Sequence, residues 1–112
     1  MSDVGNPNRF LQIVYRIRYS GGVADDLRRV RANQRTRILD RIEVQLTHEP
    51  TRQTRNRKIV VGLIPPWEHV DPIWELRLGE YRVFYDVDEA KSSVTIRAIR
   101  HKPPHKRTEE VL

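Results

Sequence analysis

The chain has no cysteine. That excludes a disulfide framework, a thiolate nucleophile and any zinc site built on thiolates, and it fits the cytosol. Aromatic residues are 7% and apolar residues 38% of the total, a low share for a globular domain, so the core is expected to be thin and one face heavily solvated. Long hydrophobic runs are also missing. The most apolar stretch, Ile59 to Pro66, contains Gly62 and two prolines and falls far short of the roughly 20 residues that span a membrane. Met1 to Asn8 is polar, with Gly5 and Pro7, and lacks the apolar centre of a secretory signal. With 112 residues there is room for one two-layer core but not for separate cofactor and substrate domains. Chemistry that uses few side chains and no cofactor is therefore expected.

What the chain has in excess is positive charge: 21 Lys and Arg against 15 Asp and Glu, a net of +6. Two eight-residue windows hold more than all of it. Thr51 to Lys58 carries Arg52, Arg55, Arg57 and Lys58 with no acid, and Arg100 to Arg107 carries Arg100, Lys102, Lys106 and Arg107 with no acid, plus His101 and His105. Each window is +4 and the rest of the chain is slightly acidic. Either window alone reads equally well as a solvated loop. Together they favour a polyanion or an acidic protein partner, nucleic acid first. RNA-binding candidates are thus Arg52, Arg55, Arg57, Lys58, Arg100, Lys106 and Arg107.

The apolar pattern predicts an α+β domain of two layers. From Phe10 to Tyr19 the odd positions Leu11, Ile13, Tyr15, Ile17 and Tyr19 alternate with Arg16 and Arg18, a half-buried strand. After Gly21 and Gly22, Val23, Leu27 and Val30 recur at helical spacing behind Asp25 and Asp26, which suit a helix start. A second helix is expected from about Gln34 to His48, burying Ile38, Leu39, Ile42 and Leu46 and stopped before Pro50. Residues 51–73 form a long connection with a short strand over Ile59 to Leu63, and such a length favours a functional loop. Three antiparallel strands follow, around Trp74–Leu78, Tyr81–Val87 and Val94–Ala98. Residues 1–9 are expected to be a flexible N-terminus, 10–107 the single domain and 108–112 a tail.

Gly79-Glu80 reads as a two-residue hairpin loop of type II′. Counting from it pairs Leu78 with Tyr81, Arg77 with Arg82, Leu76 with Val83, Glu75 with Phe84 and Trp74 with Tyr85. Like charges directly opposite are destabilising, so Arg77 and Arg82 need an anion between them, either a ligand or Glu75 two residues along the same face. Pairing Val87 with Val94 sets Arg97 opposite Phe84. Arg77, Arg82, Phe84 and Arg97, with His101 beyond them, then line the face turned away from the helices, where arginines can clamp phosphates and Phe84 can stack a base. The alternative is a wet face kept soluble by arginine.

For RNA phosphodiester cleavage, His101 and His105 are the proton handlers on chemistry alone. Arg82 and Arg77 suit charge stabilisation, and Lys102 is a base only if its pKa is depressed. Pro103-Pro104 rules out a helix that would bring His101 and His105 together on a metal, so no metal site is expected and a metal-free mechanism is favoured. His48 and His69 read as surface residues, and Asp86, Asp88 and Glu89 as ordinary turn acids. No glycine-rich phosphate loop and no Ser or Thr nucleophile motif is present.

The stretch Trp74-Glu75-Leu76-Arg77-Leu78-Gly79-Glu80-Tyr81-Arg82-Val83-Phe84-Tyr85-Asp86-Val87, followed by a strand ending in Ala98-Ile99-Arg100-His101-Lys102, resembles the C-terminal half of RelE/ParE-superfamily toxins of bacterial type II toxin-antitoxin modules. The strand-helix-helix order before it agrees with that family. The resemblance implies a cytoplasmic toxin restrained by a cognate antitoxin. RelE-like members, the favoured branch, cut mRNA in the ribosome without metal, while ParE-like members inhibit DNA gyrase. It further implies a phosphate contact at Arg82 and cationic partners at Arg77 and Lys102. RelE carries a functional tyrosine near its C-terminus, where this chain has Thr108 to Leu112, so His101 or His105 would have to substitute, or the chain is an inactive binding homologue. The residues place His101 on the Arg82 face and the resemblance points to Lys102; both stand as candidates.

Overall fold

The computed structural model describes residues 13–112; the expected flexible segment 1–9 and the start of the first strand lie outside them. The elements run β1 (Arg16–Tyr19), α1 (Val23–Arg28), α2 (Ala32–Leu46), β2 (Arg57–Val60), β3 (Ile73–Leu78), β4 (Tyr81–Asp88), β5 (Ser93–His101) and α3 (Thr108–Val111). The five strands form one mixed sheet in the order β1-β5-β4-β3-β2, with β1 parallel to β5 and the other pairs antiparallel.

Helix α2 packs on the sheet because Ile38, Ile42 and Leu46 recur every fourth residue, one above the other on a single face. These three meet Leu76, Val83, Tyr85, Val94, Ile96 and Ile99 in the main core, while Leu39 is only half-buried. Helix α1 is tied down by its own chemistry. The Asp26 carboxylate is buried and accepts the Ile99 backbone N–H at 2.9 Å, where β5 runs past the end of β1. The Arg35 guanidinium donates to the carbonyls of Leu27 and Val30 at 3.0 and 2.9 Å, placing a cation at the C-terminal end of α1, where it complements the helix dipole. Past α2, the Tyr85 hydroxyl donates to the Pro50 carbonyl at 2.6 Å, and burial pushes that phenol well above its ordinary pKa against a small opposing pull from Arg57. Tyr85→Phe orphans a buried carbonyl and is expected to cost about 1–2 kcal/mol, read as a lower urea midpoint.

The β3–β4 hairpin has the predicted register at all five pairs, from Trp74↔Tyr85 to Leu78↔Tyr81. Gly79 sits at φ +61°, the left-handed region that a type II′ turn demands at that position. Gly79→Ala is expected to lose about 1–2 kcal/mol through backbone strain, with the denaturant slope unchanged.

The β4–β5 ladder departs from expectation. Val87 does pair with Val94, but Phe84 faces Ala98 while Tyr85 faces Ile96, so Arg97 is an extra, bulged residue. A one-residue shift turns every later side chain to the opposite face. Arg82 therefore faces Arg100, and His101 faces Tyr81, on the helix side and not on the Arg82 face. Strand β2 covers residues 57–60 instead of 59–63.

The outer sheet face is not an open arginine surface. Ile73, Phe84 and Ala98 form a second, smaller core there, capped by Val60, by Trp67 from the long connection and by Leu112 from the C-terminus. The Trp67 and Phe84 rings lie 5.5 Å apart. Segment 108–112, expected as a tail, is one helical turn that lays Leu112 on this cluster. No helix among the described residues is long and apolar enough to cross a membrane.

Candidate functional site

Where β3 turns into β4, the hairpin end and residues 31–41 at the start of α2 border an open cleft of about 1160 Å³. Arg31, Gln34, Arg37 and Arg41 line it from the helix side, and Arg77, Glu80, Tyr81, Arg82 and His101 from the sheet side. Five arginines against one carboxylate make it strongly cationic. By contrast, a smaller cavity of about 650 Å³ at the opposite end of the sheet balances Arg18, Lys91 and Arg97 with Asp86, Asp88 and Glu89.

Arg77 and Arg82 are direct cross-strand neighbours, and the anion between them is Glu75. Its buried carboxylate lies 3.8 Å from Arg77 Nε and 3.4 Å from Arg82 Nε. The Arg82 guanidinium is fixed further by donating to the carbonyls of Gly79 and Tyr81 at 2.8 and 2.9 Å. Its Nε makes no well-aligned hydrogen bond despite the nearby carboxylate. Burial lowers its pKa, with Glu75 opposing and Arg77 adding to the fall. Arg77 stays exposed at the cleft wall.

His101 is half-exposed, its Nε2 sits 2.9 Å from Glu80 Oε1, and its ring lies 5.2 Å from that of Tyr81. The turn that sets Gly79 thus also delivers a carboxylate to the histidine. Backbone pairing continues one step, with Lys102 N–H donating to the Glu80 carbonyl at 2.6 Å. Alternation carried to Lys102 returns it toward the Arg82 side, where it is half-buried and outside the cleft lining. His105 and Lys106 are exposed beyond the prolines.

Other expected contacts are rearranged. Phe84 is fully buried under Trp67, so it cannot stack a base. Arg97 does not face Phe84; it is bulged and paired with Asp86 at 2.7 Å. Asp86 itself is buried and also accepts the Val70 backbone N–H at 2.9 Å, which makes it a structural anchor, not a turn acid. The two basic windows are partly neutralised from elsewhere in the chain. Arg52 pairs with Glu49 at 2.9 Å, the Arg57 guanidinium donates to the Glu49 carbonyl, Arg100 pairs with Asp26 at 2.7 Å and Arg107 with Glu109 at 3.6 Å. Arg55 and Lys58 remain exposed.

Arg31, Arg37 and Arg41 lie outside the two basic windows read from the sequence, although residues 28–37 carry five arginines with no acid. The signal that finds them is spacing: 31, 34, 37–38 and 41 step by three and four. Glu80 was legible only as a turn residue.

The fold is shared with solved toxins at low identity. The RelBE2 toxin-antitoxin complex of Mycobacterium tuberculosis aligns with a TM-score of 0.63 at 20% identity, over 80% of this chain and 93% of that one. The archaeal RelE-RelB complex of Pyrococcus horikoshii gives 0.57 at 21%, over 85% and 100%. The isolated Escherichia coli RelE toxin gives 0.58 at 17%, over 86% and 89%. At such identities the likeness speaks for the fold alone. No curated protein matches the sequence. Residues 13–102 match the family model described as the ParE toxin of the type II toxin-antitoxin system parDE, and the chain accordingly belongs to that family of toxins, within the RelE/ParE superfamily.

Proposed function

We propose that this toxin cuts mRNA on the ribosome without a metal or cofactor, and that the arginine cleft is where it does so. The observation that carries the reading is His101, braced by Glu80 at 2.9 Å, in a cleft lined by five arginines. Cleavage needs a proton taken from the 2′-hydroxyl, charge on the phosphoryl oxygens offset, and a proton given to the leaving 5′-oxygen. His101, with Glu80 behind it, is the proton handler. Arg77, exposed at the cleft wall, offsets the charge, while Arg82, fixed by the Gly79 and Tyr81 carbonyls on the face away from His101, holds the hairpin end in place.

A cognate antitoxin is the expected partner, as two of the similar solved structures are toxin-antitoxin complexes. An acidic segment laid over the cleft would match its charge. The second reading is gyrase inhibition without catalysis. It is favoured by the ParE description of the matching family and by the internal restraint of Arg82 and Phe84. Either target places the toxin in the cytoplasm.

Purified protein separates the two. Incubation with a ribosome paused on a defined mRNA, with magnesium kept so that the ribosome stays assembled, is expected to give new 5′ ends by primer extension, with supercoiling by purified gyrase unaffected. Intact mRNA with blocked supercoiling would reverse the assignment.

A further inference from the structure

We propose that Arg31, Arg37 and Arg41 of α2 form a track for the phosphates of single-stranded RNA, leading into the cleft from the helix side. The proposal rests on the RNA reading of the cleft and adds the element that holds the strand away from the scissile bond. Arg31 is the N-cap of α2 and Arg37 and Arg41 lie one turn apart within it, a span of about 15 Å at 1.5 Å per residue. All three are exposed and line the cleft. Among the described residues none of them forms an ion pair, whereas Arg28, Arg29, Arg52, Arg97, Arg100 and Arg107 all do. Ile38, 2% exposed, sits in the same stripe and roots it in the core, so the charges are carried on a rigid element. Arg35, between them, is turned the other way onto the carbonyls of α1.

Phosphates are the fitting ligand because the track is a line of guanidinium groups that continues across the cleft to Arg77. Guanidinium presents a planar fork that matches phosphate oxygens. The balanced charges of the opposite cavity give no such preference.

Each phosphate contact on a single strand contributes about 0.7 to the slope of log affinity against log salt. Binding of a fluorescent 2′-O-methyl oligouridine, which cannot be cleaved, is measured by anisotropy across a salt series. Arg31→Gln, Arg37→Gln and Arg41→Gln are each expected to lower the slope by about 0.7, and the triple variant by about 2. Arg28→Gln, outside the cleft, is the charge control and leaves the slope unchanged. The single variants keep the test valid if the triple variant loses its circular dichroism spectrum. A triple-variant slope equal to wild type overturns the track, as does loss of polyglutamate binding with oligouridine binding intact, which would assign the stripe to an acidic protein. Wild-type binding with the expected slopes but no cleavage of a ribosome-bound message leaves the track standing and removes the nuclease reading.

Discussion

Glu75→Ala is expected to destabilise the domain by about 3–5 kcal/mol. The side chains of Glu75 and Arg82 are only 5% and 11% exposed, so removing the carboxylate leaves a buried guanidinium facing Arg77 with nothing between them. Arg77, 42% exposed, is well solvated and contributes little to the loss. Since Arg82 Nε lacks a well-aligned hydrogen bond, the lower end of the range is the better expectation. Urea unfolding reads the change directly. The paired substitution Glu75→Leu with Arg82→Leu removes both charges, and its loss should be far smaller than that of Glu75→Ala. If Glu75→Ala cost less than about 1 kcal/mol, the carboxylate would not be what holds the arginine pair together.

His101→Ala is expected to slow RNA cleavage by about 10²–10⁴-fold, the usual worth of a positioned proton donor or acceptor, while oligonucleotide affinity changes little. The asymmetry follows from placement: His101 contributes one partly exposed ring held by Glu80, whereas binding draws on five arginines. Glu80→Gln keeps a hydrogen-bond acceptor at the turn but removes the charge behind the ring. It should lower the cleavage rate less than His101→Ala and leave the hairpin stable, because Glu80 is half-exposed. Equal loss of affinity and rate in His101→Ala would make the histidine a binding contact only.

Much of this site could be read before folding, and the reasons are local. A two-residue turn dictates its register, so Gly79-Glu80 was enough to bring Arg77 opposite Arg82. The pattern Ile38, Ile42, Leu46 was enough to seat α2. The bulge at Arg97 was harder, since strict alternation hides an inserted residue. Its trace is the adjacent apolar pair Ala98-Ile99, one packed on each face of the sheet. That single residue moved His101 off the Arg82 face and next to Tyr81, where Glu80 meets it.

Charge was the least legible property, because pairing is settled in three dimensions. The Arg100–Arg107 window has no acid in sequence, yet Asp26 from α1 and Glu80 from the turn both enter it. Helix α2 looks nearly balanced along the chain, yet it and its N-cap supply three of the cleft's five arginines. Phe84 alternates as an outward residue and does point outward, but Trp67 and Leu112 cover it. Nothing in strand periodicity reports a cover supplied by segments 17 and 28 residues away.

On the proposed function, toxicity is exerted through the arginine cleft by RNA cleavage. The most direct test is transcript-end mapping in cells after brief induction of wild type beside His101→Ala, with both proteins at equal soluble levels. Wild type is expected to give new ends inside translated messages, nearly absent for His101→Ala. Growth arrest by both proteins with unchanged transcript ends would contradict it.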